Sequence, residues 1–323
     1  MKMLEAIRAA LADALEEDDR VVVVGEEVGQ LGGVFRATQG LQARFGPGRV
    51  LDSPLSEAAL AGWGIGLATE GLRPVVEIMF VDFITLAMDQ IVNLAAKLRY
   101  MSGGQFTVPL VVRAPCGAGT HHGPQHSQSL ETWFAHVPGL VVAMPSNAAD
   151  AYWMLRDSIA NDNVTVFLEP KALYFKKQTT DLESATRLPE GHARLVREGS
   201  DLTVVTAGTM VHRCVAAAEA LAARGVSCEI IDVRYLWPMD FESIGRSLER
   251  TGRLLVVHEA VQFCGWGAEV AAWASAECFE KLNAPVRRLG AERAPIGFAP
   301  VLEDAVIPTI ERIGQLMQEL SEY

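Results

Sequence analysis

Short runs of β-branched and aliphatic residues recur along this chain, separated by stretches with helical apolar spacing. Residues 21–25 (VVVVG), 75–80 (VVEIMF), 108–113 (VPLVVR), 140–144 (LVVAM) and 164–169 (VTVFLE) are continuous apolar runs of strand length. Runs that do not alternate suit strands covered on both faces, as in a parallel sheet between helical layers. Helical periodicity occupies 56–70, 84–101 and 148–160, and the second of these predicts a broadly buried helix. The opening MKMLEAIRAALADALEED reads as an amphipathic helix. Residues 176–200 break the pattern: they are polar, contain Pro189 and Gly191, and carry no sustained period. A second series follows, with strands near 202–207, 227–233 and 253–258 and helices near 210–224, 267–281 and 303–321. This alternation predicts an α/β protein of two doubly wound domains, at 1–180 and 201–323, joined by a linker at 181–200.

Length supports the division, because 323 residues exceed what one core holds, about 250–300. A net charge of −12 argues against a nucleic-acid partner, which calls for clustered Lys and Arg. No apolar run approaches the roughly 18 residues that cross a bilayer. The N-terminal helix carries acidic residues through its apolar positions and lacks the uninterrupted core and cleavage site of a secretion signal. The cysteines (Cys116, Cys214, Cys228, Cys264, Cys278) are odd in number and show no CxxC spacing. Neither a disulfide framework nor a cysteine zinc site is indicated, and a cytoplasmic, non-membrane protein is expected.

In doubly wound sheets, ligands bind beyond the carboxyl ends of the strands. One such segment is RVLDSPLSEAALAGWGIGLATEG, where Ser56 and Glu57 open an Ala/Gly-rich helix. An acidic first turn favoured by the helix dipole explains Glu57 without any chemistry. Gly62, Gly64 and Gly66 do not form GxGxxG, so they read as small residues that let the helix pack closely. A second segment, CGAGTHHGPQHSQSLE, is a glycine-rich loop holding His121, His122 and His126. These histidines suit either metal ligation or acid–base work, and spacing alone does not choose. The third is EIMFVDFITLAMDQ, in which Phe80 and Phe83 follow a strand; such aromatics are mostly core, and a minority stack on a flat ligand.

Taken together, GEEVGQLGGVFRATQGL, LDSPLSEAA, GLRPVVEIMFVDF, DQIVNLAAKLRYMSGGQ, QHSQSLE, HVPGL and VFLEPK are in register with a known family. The chain resembles, from about residue 3 to its end, the beta subunits of the decarboxylating component of pyruvate, acetoin and branched-chain 2-oxo acid dehydrogenases. The resemblance implies an N-terminal thiamine-pyrimidine-binding domain, a C-terminal transketolase-like domain, and thiamine diphosphate as cofactor. Glu57 matches the glutamate that hydrogen-bonds the aminopyrimidine ring nitrogen, which lets the neighbouring amine accept the thiazolium proton; burial of a carboxyl favours the protonated donor this needs. Phe83 would lie against the pyrimidine. His126 matches the active-site histidine, expected to orient substrate or move protons during acyl transfer to a lipoyl group. His121 and His122 receive no role. A potassium site is also implied at Leu110, Ser158, Ile159, Asn161 and Asn163, with Asn161 standing where an aspartate is common and Val164 where a proline is common.

The resemblance also implies a partner. Thiamine diphosphate enzymes anchor magnesium and the diphosphate with a GDG motif, which is absent here; an alpha subunit would hold the Mg²⁺ in an α2β2 heterotetramer that docks on a lipoyl acyltransferase core. GFAPVLEDAVIPTIERI looks like the pyruvate and acetoin types, VFLEPKALY like the branched-chain types, and the expectation leans to pyruvate or acetoin. The competing readings are a transketolase-like or deoxyxylulose phosphate synthase fragment, a metal-dependent hydrolase built on His121, His122 and His126, and a non-catalytic assembly subunit.

Overall fold

The computed structural model describes residues 1–178, 182 and 185–323. The chain forms two compact units: Met1–Cys116 with Trp133–Arg187, and Gly117–Thr132 with Leu188–Tyr323.

In the first unit, helix α1 (Met3–Glu17) precedes strand β1 (Val21–Glu26), short helix α2 (Leu41–Phe45), β2 (Val50–Ser53), α3 (Glu57–Thr69) and β3 (Arg73–Glu77). Helix α4 (Ala96–Met101) and β4 (Val111–Cys116) follow, and α5 (Glu131–Ala135) carries the chain back into this unit for β5 (Leu140–Ala143), α6 (Ala148–Ala160) and β6 (Val164–Pro170). The strands run in the order β5–β6–β4–β3–β1–β2, all parallel. Their apolar runs are buried throughout, as expected of strands with helices on both faces. The chain leaves β1 for β2 on one side and then for β3 and β4 on the other. That reversal falls at the carboxyl ends of β1 and β3, where doubly wound sheets bind their ligands.

In the second unit, β7 (Arg194–Arg197), β8 (Leu202–Thr206), α7 (Thr209–Ala222), β9 (Cys228–Asp232), the short β10 (Tyr235–Trp237), α8 (Phe241–Thr251) and β11 (Leu254–Val261) come first. They are followed by α9 (Gly267–Glu277), β12 (Arg287–Ala291), α10 (Pro300–Val306) and α11 (Ile310–Ser321). The sheet order β12–β11–β8–β9–β7 is parallel except for β7, which is antiparallel to β9. Val204, Ile230 and Val257 of the sheet pack with Met210, Ile313 and Met317 of the helices.

Several expected elements differ. The helix expected over 84–101 is a 3₁₀ stretch, Val81–Ala87, then a π stretch, Gln90–Ala95, and only then α4. Along the π stretch Ile91 and Ala95 are buried and Leu94 is exposed, and Leu86 of the 3₁₀ stretch is exposed as well. The helix expected over 303–321 is α10 and α11, divided where Pro308 precedes the Thr309 cap, whose side chain accepts from Arg312 N at 3.3 Å. β7 lies within the stretch read as lacking structure, and α8 was not anticipated. Its sequence FESIGRSLERT buries Ile244 and Leu248 on one face, behind an Asp240 cap that accepts from Ser243 N at 2.9 Å.

The sheet of the first unit encloses a charge cluster. Arg113 donates from Nε to Glu169 Oε1 and from a terminal nitrogen to Oε2, both at 2.7 Å, and also to Glu77. The Tyr174 hydroxyl donates to Glu169. Arg113 and Glu169 are fully buried and Glu77 nearly so. One guanidinium thus faces two carboxylates, and burial pushes the Glu77 carboxyl above its ordinary range while Arg113 opposes this. Arg113→Leu would strand both carboxylates, and a destabilisation of roughly 3–5 kcal/mol is expected, read as a lower denaturant midpoint. An unchanged midpoint would show that the cluster contributes no net cohesion.

Candidate functional site

Polar groups gather at the carboxyl ends of the strands of the first unit. Glu26 closes β1 and is buried; its Oε1 accepts from Ser56 N at 3.0 Å, and its Oε2 has no hydrogen-bond partner among the described residues. Ser56 is the N-cap of α3, and half-buried Glu57 is the first residue of that helix. Burial, reinforced by the Glu57 charge, pushes the Glu26 carboxyl upward. α3 packs tightly on the sheet at Gly64, where a β-carbon would stand 2.6 Å from Val76 Cγ2 and 3.0 Å from Leu110 Cδ1. Beyond β3, Phe80 is buried and Phe83 half-buried, their rings 6.1 Å apart edge to face; Phe35 packs against Phe80 at 5.4 Å. Glu57 and Phe83, singled out from the sequence, thus stand at the start of α3 and just after β3. Glu26 was missed, although an acid ending a buried parallel strand is a readable signal.

The residues matched to a potassium site are also in this unit. Leu110 O accepts from Thr165 N at 2.9 Å, while Ile159 O and Asn161 O both accept from the Arg73 guanidinium at 3.0 Å. The Ser158 hydroxyl donates to Met154 O at 2.7 Å, and Asn163 N donates to Asn161 Oδ1 at 3.0 Å. Each carbonyl retains a second lone pair, but Arg73 already brings positive charge to two of them.

The histidine loop belongs to the second unit. Gly117 N donates to Gln128 O at 2.9 Å, closing the loop at its base, and His126 N donates to Gly123 O at 3.3 Å. His126 is half-buried. His121 and His122 are exposed and turn elsewhere: His121 Nδ1 lies 3.4 Å from Glu303, and His122 Nδ1 is 2.7 Å from the Thr120 hydroxyl. Among the described residues no group of three or more His, Cys, Asp or Glu is placed to hold a metal ion. Beside the loop is a cavity of about 510 Å³, with Ser127, Gln128 and Ser129 on its wall together with Glu259, Arg293 and Ile307.

Two buried groups nearby in sequence and fold titrate abnormally. Burial pushes the Glu131 carboxyl up to about 7. Burial lowers the His258 imidazole to about 4, although its Nδ1 lies 3.0 Å from Ala260 O.

Two sheets, parallel but for β7, each packed with helices, define an α/β protein of transketolase type. Residues 1–177 match the family described as "Transketolase, pyrimidine binding domain" and residues 191–313 that described as "Transketolase, C-terminal domain". The chain is 43% identical to the 2-oxoisovalerate dehydrogenase subunit beta of Pseudomonas aeruginosa, over 100% of this chain and 95% of the relative. It is 41% identical to the Bacillus subtilis protein of the same name (100% and 99% covered) and 41% identical to the pyruvate dehydrogenase E1 component subunit beta of Leifsonia xyli (100% and 95%). A solved "Split gene transketolase, inactive beta4 tetramer" shares the fold with a TM-score of 0.82 at 20% identity, covering 100% of this chain and 99% of that one. The chain belongs to the family of E1 beta subunits of 2-oxo acid dehydrogenases.

The two abnormal groups set opposite pH arms for the second unit. Glu131 is raised in the fold from about 4.5, so the stability it contributes is full below that value and is lost as pH rises through about 7. His258 is lowered from 6.5, so its contribution is present above 6.5 and lost as pH falls through about 4. Glu131→Gln should therefore raise the unfolding midpoint at pH 8 and leave it near the parent value at pH 5. A pH-independent shift would disprove this titration.

Proposed function

We propose that this chain is the beta subunit of a thiamine diphosphate-dependent 2-oxo acid dehydrogenase, decarboxylating a 2-oxo acid and passing the acyl group to a lipoyl group together with an alpha subunit. The observation that carries the proposal is the pair of carboxyls at the switch point, Glu57 opening α3 and buried Glu26 holding its first turn. Such a pair would suit the pyrimidine end of the cofactor: Glu57 would donate to a ring nitrogen, and Phe80 and Phe83 would form an aromatic wall for a flat ring. Bound thiamine diphosphate would supply the electron sink that decarboxylation needs. Glu57 would hold the cofactor's pyrimidine nitrogen by a carboxyl hydrogen, Phe83 would pack on the ring, and His126 would orient substrate or move a proton during acyl transfer.

Magnesium and the diphosphate would be gripped by the alpha subunit of an α2β2 assembly, docked on a lipoyl acyltransferase core. The names of the relatives, which specify a beta subunit, support a partner of this kind. Potassium at Leu110, Ser158, Ile159, Asn161 and Asn163 would share the Ile159 and Asn161 carbonyls, which already accept from Arg73. Relatives named for pyruvate and for 2-oxoisovalerate match at 41% and 43%, so identity does not separate the substrates. We retain pyruvate or acetoin on the likeness of the C-terminal stretch. A pocket that sorts by size discriminates by only about 1–3 kcal/mol per methylene, so overlapping use of branched-chain acids fits as well. No helix among the described residues is long and apolar enough to cross a membrane.

Glu57→Gln, assembled with the alpha subunit, should lose nearly all 2-oxo acid decarboxylation while the complex still elutes intact; full activity would defeat the catalytic assignment. His126→Ala should lose far more lipoyl acylation than cofactor affinity, and equal loss of both would make His126 structural.

A further inference from the structure

The loop that carries His126 lies within the first α/β series in sequence, yet its backbone is tied down by carboxylates from the C-terminal part of the chain. Glu303 of α10 is buried; its Oε1 accepts from Gly119 N at 2.7 Å and its Oε2 from His121 N at 3.1 Å. Glu259 of β11 accepts from Ala118 N at 2.6 Å and from the Ser129 hydroxyl at 3.2 Å, so it fastens both arms of the loop. The loop's shape is fitted to these anchors. Gly117 has φ +86° and Gly119 φ +87°, and a β-carbon at Gly117 would strike the Glu259 carboxylate. His121 itself is held at φ 58°, a conformation unfavourable for a side-chain-bearing residue unless its surroundings impose it. Further along, Gly123 (φ +76°) leaves no room for a β-carbon beside the Phe298 ring, and the His126 turn closes onto Gly123 O.

Hydrogen bonds from backbone N–H groups to ionised carboxylates are among the stronger ones available to a loop. A glutamine would serve one N–H and present its own N–H₂ to the other. We propose that Glu303 and Glu259 are positioning residues: their carboxylates set the conformation of residues 117–129 and so the placement of His126 for acyl transfer. This rests on the role given to His126 above, and the test keeps the two apart.

Amide hydrogen exchange of the full chain reads the clamp, and lipoyl acylation by the chain assembled with its alpha subunit reads its consequence. In Glu303→Gln, amides over 117–129 should exchange at least tenfold faster with β8 and β11 still protected, and lipoyl acylation should fall by about tenfold to a hundredfold, as misplacement of a reacting group on the order of 1 Å predicts. Asp304→Asn, an exposed acid on the same helix, should change neither reading. Unchanged protection over 117–129 would overturn the clamp, and faster exchange with full acylation would overturn the positioning role. If Glu303→Gln also loses protection in β8 and β11, Glu259→Gln is judged by the same two readings. A His126→Ala enzyme with full acylation defeats the role of His126 and leaves exchange to decide whether the carboxylates hold the loop.

Discussion

Parallel strands all end at one edge of their sheet, and each unit of this protein depends on that constraint. A strand covered on both faces contributes no side chain to solvent along its length, so its first chance to present chemistry is the residue at its carboxyl end. β1 ends in Glu26, β3 in Glu77, and β11 carries Glu259 near its end. Where the strand order reverses, connecting segments diverge to opposite faces and leave these ends uncovered by crossover helices. The opening turn of α3, with Ser56 and Glu57, enters the first of those gaps. The arrangement is topological before it is chemical.

The carboxyls are distinguished by how completely their negative charge is answered. Glu169 is met twice by Arg113 and once by Tyr174, and Glu303 by two backbone N–H groups. Such groups are committed to structure: their acceptor capacity is already used in fixed geometry. Glu26 is met on one oxygen only, although it is buried as deeply as Glu303. A half-answered buried carboxyl carries an unspent desolvation cost, and it favours a proton or a ligand donor to settle it. Ser56, whose N–H answers that one oxygen, is the N-cap of the helix that Glu57 opens. Charge satisfaction therefore separates candidate chemistry from architecture more sharply than acidity or burial alone.

Much of the fold was legible because buried parallel strands write themselves as unbroken runs: VVVVG, LVVAM and VTVFLE fall on β1, β5 and β6. Elements whose cohesion is not apolar were harder. α8 is rich in charge, and only the four-residue spacing of Ile244 and Leu248 marks its inner face. β7 joins the sheet by backbone pairing to β9 with its apolar Leu195 and Val196 exposed, so its composition resembles a linker. The π stretch at Gln90–Ala95 is invisible to any fixed period. At the site, Glu57, Phe83 and His126 were reached by likeness to a family, since a first-turn acid or a loop histidine is common without chemistry. Glu259 and Glu303 were not reached because their partners are backbone amides, which no residue code announces.

The same reasoning bears on how the two candidate groups are stabilised. Glu57 stands on α3 and answers to the first unit, in whose interior Glu77 and Glu169 share Arg113. His126 stands on a loop whose anchors all come from the second unit, so its order follows that unit's folding equilibrium. There, neutral Glu131 favours the fold at low pH and neutral His258 favours it at high pH, and the two losses overlap between 4.5 and 6.5. A loop on such a scaffold carries a pH dependence that is not its own. Order in the loop that carries His126 therefore follows the Glu131 carboxyl and the His258 imidazole, and a variant that removes one of these titrations with the loop untouched separates their parts.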